Sequence, residues 1–282
     1  MLSIKKNIKN PIFALSLGKT PETLKMKRLK EESQAVGNIL LEVGSLLISS
    51  GASTNRIRVT MGRIAKGLGY NIELLITHRA LMLTIVEKSN QQFFSRLKRT
   101  SPHGVNFKTV SGISHLSWNV LEQNWTVSQI SEELQRLKSL PHYPRLVVLL
   151  FVGLAGSGFC NIFGGGYIDM TVTFVATVIG LFIRQEAIRV KFNPYICVFF
   201  AAFTASFIAG IAEHFHIGSE PEKAFATSVL FLVPGVPLIN SVTDLMEGNI
   251  QNGMVRAING LMIAFSIAMG IFTVRMILNF LT

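Results

Sequence analysis

The residues best suited to chemistry lie in an otherwise greasy stretch. Pro234-Gly235-Val236-Pro237 interrupts an uncharged apolar run over 224–243, and Asn240, Ser241, Thr243 and Asp244 follow at once. Proline lacks a backbone donor and its ring clashes with the preceding turn. Two prolines around a glycine therefore predict a broken helix rather than a mild kink. Freed backbone groups at membrane depth are tolerated only where protein or water meets them. The helix start expected after Pro237 would turn N–H groups toward an anion, and Asn240 and Ser241 would hydrogen-bond it. The chemistry is that of holding a small polar, carboxylate-bearing molecule, with Pro234, Gly235 and Pro237 shaping the break.

Two carboxylates can carry a proton. Asp169 follows Gly164-Gly165-Gly166 at the start of another apolar run, and Asp244 follows the broken one. Ionisable groups within spans are costly and are functional candidates by default. Asn161 and Asn259 sit in two further runs. They either complete a polar lining or act as hydrogen-bonding glue between helices.

These residues need membrane-spanning elements to hold them. Of the 282 residues 49% are hydrophobic and 15% charged, which excludes a disordered chain. Two cysteines exclude a disulfide scaffold. Apolar runs at 146–163, 168–183, 194–212, 224–243 and 257–274 are each close to the roughly 20 residues a bilayer requires. They predict five transmembrane helices. Residues 1–145 hold 21 Lys and Arg against 9 Glu, whereas 146–282 hold 6 against 7 Asp and Glu. Basic segments stay in the cytoplasm. That predicts a cell-membrane protein with residues 1–145 and the 184–193 and 244–256 loops inside. The 164–167 and 213–223 loops and the C-terminus are then outside.

The first half divides again. Residues 1–30 read as a basic flexible tail, and 31–140 as a cytosolic α+β domain. Val36, Ile39, Leu40, Val43 and Leu47 share one helical face, and Ile57, Met61, Ile64 and Leu68 share another. Gly51 and Gly69 end those helices and Ser53 caps the second. Strands are expected at 71–77, 80–87 and 91–98. Thr126 and Gln129 fit a capping box before a last amphipathic helix, which Pro141 and Pro144 terminate. The membrane domain then covers 145–282.

Other motifs fail on physical grounds. Gly18-Lys19-Thr20 lacks the glycine a phosphate loop needs five residues earlier, where Phe13 stands. Glu213-His214-Phe215-His216 has metal-ligand types at spacings that face apart on a helix. No nucleophile elbow accompanies His78, His103, His115 or His142. Cys160 and Cys197 fall at different membrane depths and read as apolar fillers. No nucleic-acid recognition pattern accompanies the basic charge. The chain does not read as an enzyme, and no cofactor is implied.

Three stretches carry a resemblance to a known family. They are residues 46–56 (LLISSGASTNR), residues 164–169 (GGGYID) and residues 231–241 (FLVPGVPLINS), the last running on to Asp244, Gly248 and Gly253. The sequence resembles the threonine/serine exporter family over roughly residues 31–280, in that family's N-terminal half. The resemblance implies a cytosolic domain before a membrane bundle that exports small polar metabolites. Threonine and serine are the substrates of some members, and similar split members are associated with succinate. It also implies a second, shorter five-helix membrane subunit as partner, with a homo-oligomer as the alternative.

The combined reading is an α-helical multi-pass membrane protein with five transmembrane helices and an N-terminal cytosolic α+β domain. It would be a subunit of a secondary exporter of small polar metabolites, threonine, serine or related amino acids. With no nucleotide-binding motif, an ion gradient, most simply of protons, would drive it. A dicarboxylate exporter subunit and a membrane-anchored sensor are the alternatives.

Overall fold

The computed structural model describes residues 21–86, 92–100, 104–141 and 143–281. The Gly18-Lys19-Thr20 motif, His103, His142 and most of the expected tail lie outside them. The described chain forms two compact units. One holds the residues up to Leu140 together with Thr243–Asn252, and the other holds Pro141–Val242 and the chain from Gly253 onward.

The first unit is α+β. Helix α1 (Pro21–Ser49) begins well ahead of residue 31. Proline suits a first helical turn, and the Leu, Lys, Met and Glu residues that follow are good helix formers. Its last turn closes through Gly51 at φ +83°, with Gly51 N–H on Ile48 C=O and Ala52 N–H on Leu47 C=O. That pairing is the left-handed helix stop a glycine permits. Ser53 then caps α2 (Thr54–Gly67), its Oγ accepting from Arg56 N–H.

Strands β1 (Asn71–Thr77), β2 (Ala80–Val86) and β3 (Gln92–Arg99) form an antiparallel sheet in the order β1-β2-β3. On β2, Leu81, Leu83 and Ile85 are buried while Met82 is exposed, the alternation a sheet with one covered face requires. Helices α3 (Phe107–Gln123) and α4 (Val127–Ser139) complete the unit. Thr126 and Gln129 form the expected capping box at α4. The core joins Leu40 and Leu47 of α1, Ile57 and Met61 of α2, Ile113 and Leu116 of α3, and Ile130 and Leu134 of α4 to the β2 residues.

The second unit is helical. It contains α5 (Arg145–Ile162), α6 (Tyr167–Arg189), α7 (Pro194–His214) and the short α8 (Pro221–Thr227). A 3-10 turn (Leu230–Leu232), α9 (Gly235–Met246) and α10 (Ile250–Leu281) follow. The ends of α9 and α10 nearest their connecting turn belong to the first unit. Helices α5, α6, α7 and α10 are each long and apolar enough to cross a membrane. The segment from α8 to α9 qualifies only as a pair bent by 61°. Spans therefore number four, or five if the bent pair counts as one, where five had been expected. Between 28% and 50% of each span is buried by protein, and exposed Phe, Ile and Leu cover much of the remainder, as a lipid-facing surface demands.

The loops are shorter than the charge pattern suggested. Helix α6 runs to Arg189 and α10 starts at Ile250, so Arg184 and Arg256 are helical rather than loop residues. The α6 helix stops at Lys191, which adopts φ +63°, and Asn193 caps α7 by accepting from Tyr195 N–H at 2.9 Å. Small residues bring the spans together. Ala201, Ala202, Ala205 and Ala209 form a buried stripe on α7, packed with Ala176, Ile267 and Val274.

Ile113 is fully buried whereas Val59 is about half exposed. Ile113→Ala should cost about 2–5 kcal/mol and Val59→Ala under about 0.5 kcal/mol. Thermal unfolding of the two variants in detergent checks the difference.

Candidate functional site

The first glycine of the Gly164-Gly165-Gly166 turn, at φ +87°, closes α5, and Gly166 caps α6. Asp169 then falls in the first turn of α6. Its Oδ2 accepts from Gly166 N–H at 2.8 Å, Ser219 Oγ at 3.0 Å and Glu220 N–H at 3.0 Å. The residue is completely buried, and Oδ1 has no hydrogen-bond partner among the described residues. Gly218, at φ +116°, presses against that free oxygen so closely that a Cβ there would collide with it. One carboxylate oxygen is thus saturated and the other bare, an uncommon state for a buried polar atom.

A polar face continues down the helix. At 100° per residue, Asp169, Thr173, Thr177, Gly180 and Arg184 fall within about 80° of one another. Thr173 Oγ donates to Asp169 C=O at 2.9 Å and lies 3.3 Å from Thr227 Oγ. Thr177 Oγ donates to Ser228 C=O at 3.4 Å. All four hydroxyl residues are buried. Thr227 and Ser228 mark the place where α8 stops, and the Phe231 ring of the 3-10 turn abuts Gly180. The polar face of α6 therefore fronts the interruption in the bent segment.

The interruption has its own logic. Pro234 is buried and donates nothing, and the chain re-enters a helix when Leu238 N–H bonds Pro234 C=O at 3.1 Å. Helix α9 thus starts at Gly235, not after Pro237. Pro237 sits in the first turn, where a missing N–H costs little. Downstream, Ser241 Oγ donates to Gly253 C=O at 2.8 Å, and Leu238 lies against Gly260, so α9 and α10 run back to back. Asn240 is half-buried and engaged. Asn259 Oδ1 accepts from Tyr195 Oη at 2.9 Å, the glue alternative for that residue. Asn161 is exposed.

Asp244 keeps different company, within the first unit. Its carboxylate accepts from Thr54 N–H and Thr54 Oγ, both at 3.0 Å, and it is fully buried. Thr54 opens α2, so Asp244 also meets that helix's positive end. Asn252 Nδ2 donates to Thr54 Oγ at 3.2 Å and to Ile76 C=O at 2.9 Å, and Asn55 bonds Glu247. The short turn after α9, with Gly248 at φ +78°, is thereby held against α2 and β1.

Sequence reasoning missed Thr173, Thr177, Thr227, Ser228 and Arg184 as site residues. The first two were visible as an i, i+4, i+8 polar repeat after Asp169 inside an apolar run. The partners of that repeat were not, because they come from the irregular segment. Among the described residues, no group of three or more His, Cys, Asp or Glu could hold a metal ion. Cys160 and Cys197 are buried free thiols.

Apolar spans, a bent segment and a buried polar face between them are the features of a multi-pass helical membrane protein. The chain belongs to the threonine/serine exporter family: the family model ThrE, described as "Putative threonine/serine exporter", matches residues 38–278. It is 30% identical over 233 residues to a "Probable succinate transporter subunit YjjP" of Klebsiella aerogenes, covering 82% of this chain and 89% of that one. The Escherichia coli protein of the same name is 29% identical over 80% of this chain and 88% of its own. A "Threonine/serine exporter" of Corynebacterium glutamicum is 24% identical over 89% of this chain, which spans only 53% of that relative. No solved structure matches the chain.

Asp244→Ala leaves the Thr54 N–H without its buried acceptor, a loss of about 1–3 kcal/mol. Hydrogen exchange should quicken in the first turn of α2 and across 243–252. Paired with Thr54→Val, the losses should fall short of additive, and fully additive losses would show that the two side chains do not act as one unit.

Proposed function

We propose that this chain is one subunit of a proton-coupled exporter of a small carboxylate. The carrying observation is the buried face Asp169–Thr173–Thr177 of α6 meeting Thr227 and Ser228 at the end of α8. A dicarboxylate of succinate's type is the first candidate substrate. The support is the relative at 30% identity that the chain matches over nine-tenths of that relative's length. Threonine and serine come second, on the family's description. The relatives named as transporter subunits support a second membrane subunit. The basic charge of the first half supports a cytoplasmic first unit, with the C-terminus outside.

Asp169 is the proposed coupling group. Its bare Oδ1 is free to take a proton while Oδ2 keeps its three donors. A neutral carboxyl accepts more weakly than a carboxylate. Protonation thus loosens the hold on Ser219 and Glu220, the residues leading directly into α8. The bent segment feels the proton through that connection, and the break at Pro234, Gly235 and Pro237, with Asn240 and Ser241 beyond it, moves with it. A regulatory role for the first unit is a second reading. The Asp244–Thr54 bonds favour it, because they draw the turn after α9 into that unit.

Proteoliposomes carrying the chain, with and without a short membrane partner, test both. Labelled succinate, threonine and serine would be followed under a pH gradient. Asp169→Asn should lower gradient-driven efflux by about tenfold, the scale of one charged hydrogen-bonding group, while substrate exchange persists. Pro234→Ala should reduce both. Undiminished gradient-driven efflux in Asp169→Asn would remove the coupling assignment, and failure of the wild type to move any of the three cargoes would remove the exporter reading. Deleting residues 1–140 should alter only the control of transport if the first unit regulates it.

A further inference from the structure

Within the second unit the arginines are nearly all accounted for. Arg145 meets Glu186 and Gln185, Arg189 meets Glu186, Arg275 meets Glu213 at 2.8 Å, and Arg256 is engaged as well. Arg184 differs. It makes no hydrogen bond and no ion pair among the described residues, and its Nε is shielded from solvent without a partner. Its one electrostatic neighbour is the thiol of Cys197, which already points its hydrogen at Phe192 C=O.

Position sharpens the anomaly. Arg184 lies one turn beyond Gly180 on the face that carries Asp169, Thr173 and Thr177, about 22 Å along the helix from Asp169. Val175, Ile179 and Phe182 occupy the opposite face and are each about 40% exposed, so that side meets lipid. An arginine reaching for headgroups would extend from that outer face or from the helix end. This one lies instead beside Cys197 in the first turn of α7.

A half-buried cation lacking a counter-ion is costly within a membrane protein. The cost is offset if an anion arrives as part of the working cycle. A guanidinium fork pairs bidentately with a carboxylate. We infer that Arg184 is the cation that anchors a carboxylate group of the exported molecule, at the far end of the polar face from the Asp169 proton site. The inference rests on the exporter reading above and adds the group that selects for charge in the cargo. Hydroxyls of Thr173 and Thr177 lie between the two ends.

The test uses the full chain in proteoliposomes, with the partner subunit where export needs it. Wild type, Arg184→Lys and Arg184→Gln would be assayed with succinate, threonine and uncharged succinamide, in phosphatidylcholine with and without phosphatidylglycerol. Arg184→Gln should raise KM for the charged cargo by about tenfold with a smaller change in maximal rate, and leave any succinamide flux unchanged. Arg184→Lys should fall between the two, since lysine keeps the charge and loses the fork. If the succinate and threonine arms respond unequally, the larger response names the cargo class. A wild-type KM for charged cargo in Arg184→Gln overturns the assignment. So does a loss that is equal for all cargoes and follows phosphatidylglycerol content, which would make the ligand a lipid headgroup. If Arg184→Gln fails to reach the membrane, an unchanged KM in Arg184→Lys overturns it. Absence of any wild-type carboxylate export overturns the exporter reading, and this inference with it.

Discussion

A polar group surrounded by hydrocarbon must be met by another polar group, and the second unit is organised around that requirement. Most of its hydroxyls meet it locally. Thr204, Ser206, Ser266 and Thr273 each donate to the carbonyl four residues earlier, which hides the hydroxyl within its own helix. Thr177 departs from the habit and donates across to Ser228, while Thr173 both bonds back and touches Thr227. These two cross-links fall where the facing segment loses its regular helix. The interruption at Thr227–Pro234 and the polar face of α6 are two halves of one solution. Each leaves groups that the other satisfies.

Charges follow the same rule with different partners. Arg275 and Glu213 pair while the guanidinium lies over the Phe225 ring at 4.1 Å, and Arg145 covers Phe182 beside Glu186. Asp169 is met by two backbone N–H groups and a hydroxyl instead of a cation. Donors of that kind hold a carboxylate without cancelling its charge. Asp244 is held by the same types of donor, both from Thr54, at the mouth of a helix in the other unit. Two carboxylates that look alike in the sequence thus have unrelated neighbours.

Much of this was legible in the amino-acid order because the signals were local. Gly51 and Ser53 fixed the α1–α2 corner, Thr126 and Gln129 fixed the start of α4, and the two prolines fixed a break in the fourth apolar run. What escaped was decided by tertiary partners. The Asp244 turn belongs to the first unit because of Thr54, 190 residues away, and no periodicity reports a pairing at that separation. The ends of α6 and α10 were misjudged because charged residues were taken to mark loops. Arg184 and Arg256 sit inside helices, since a helix ends where its backbone finds a stop, not where its side chains change character. Asn161 is exposed, and the sequence reports its depth in the bilayer but not its azimuth.

Helix α10 has a further consequence. Its 32 residues amount to about 48 Å of rod, whereas the oily layer of a bilayer is about 30 Å thick. The first residues of the rod, through Asn252, are tied into the α+β unit. The surplus length must therefore be absorbed by leaning or by jutting past the headgroups. Ile258, Leu261, Phe265, Met269, Phe272 and Met276 keep one flank oily along nearly its whole length. The thickness of the host bilayer therefore decides how far that rod leans.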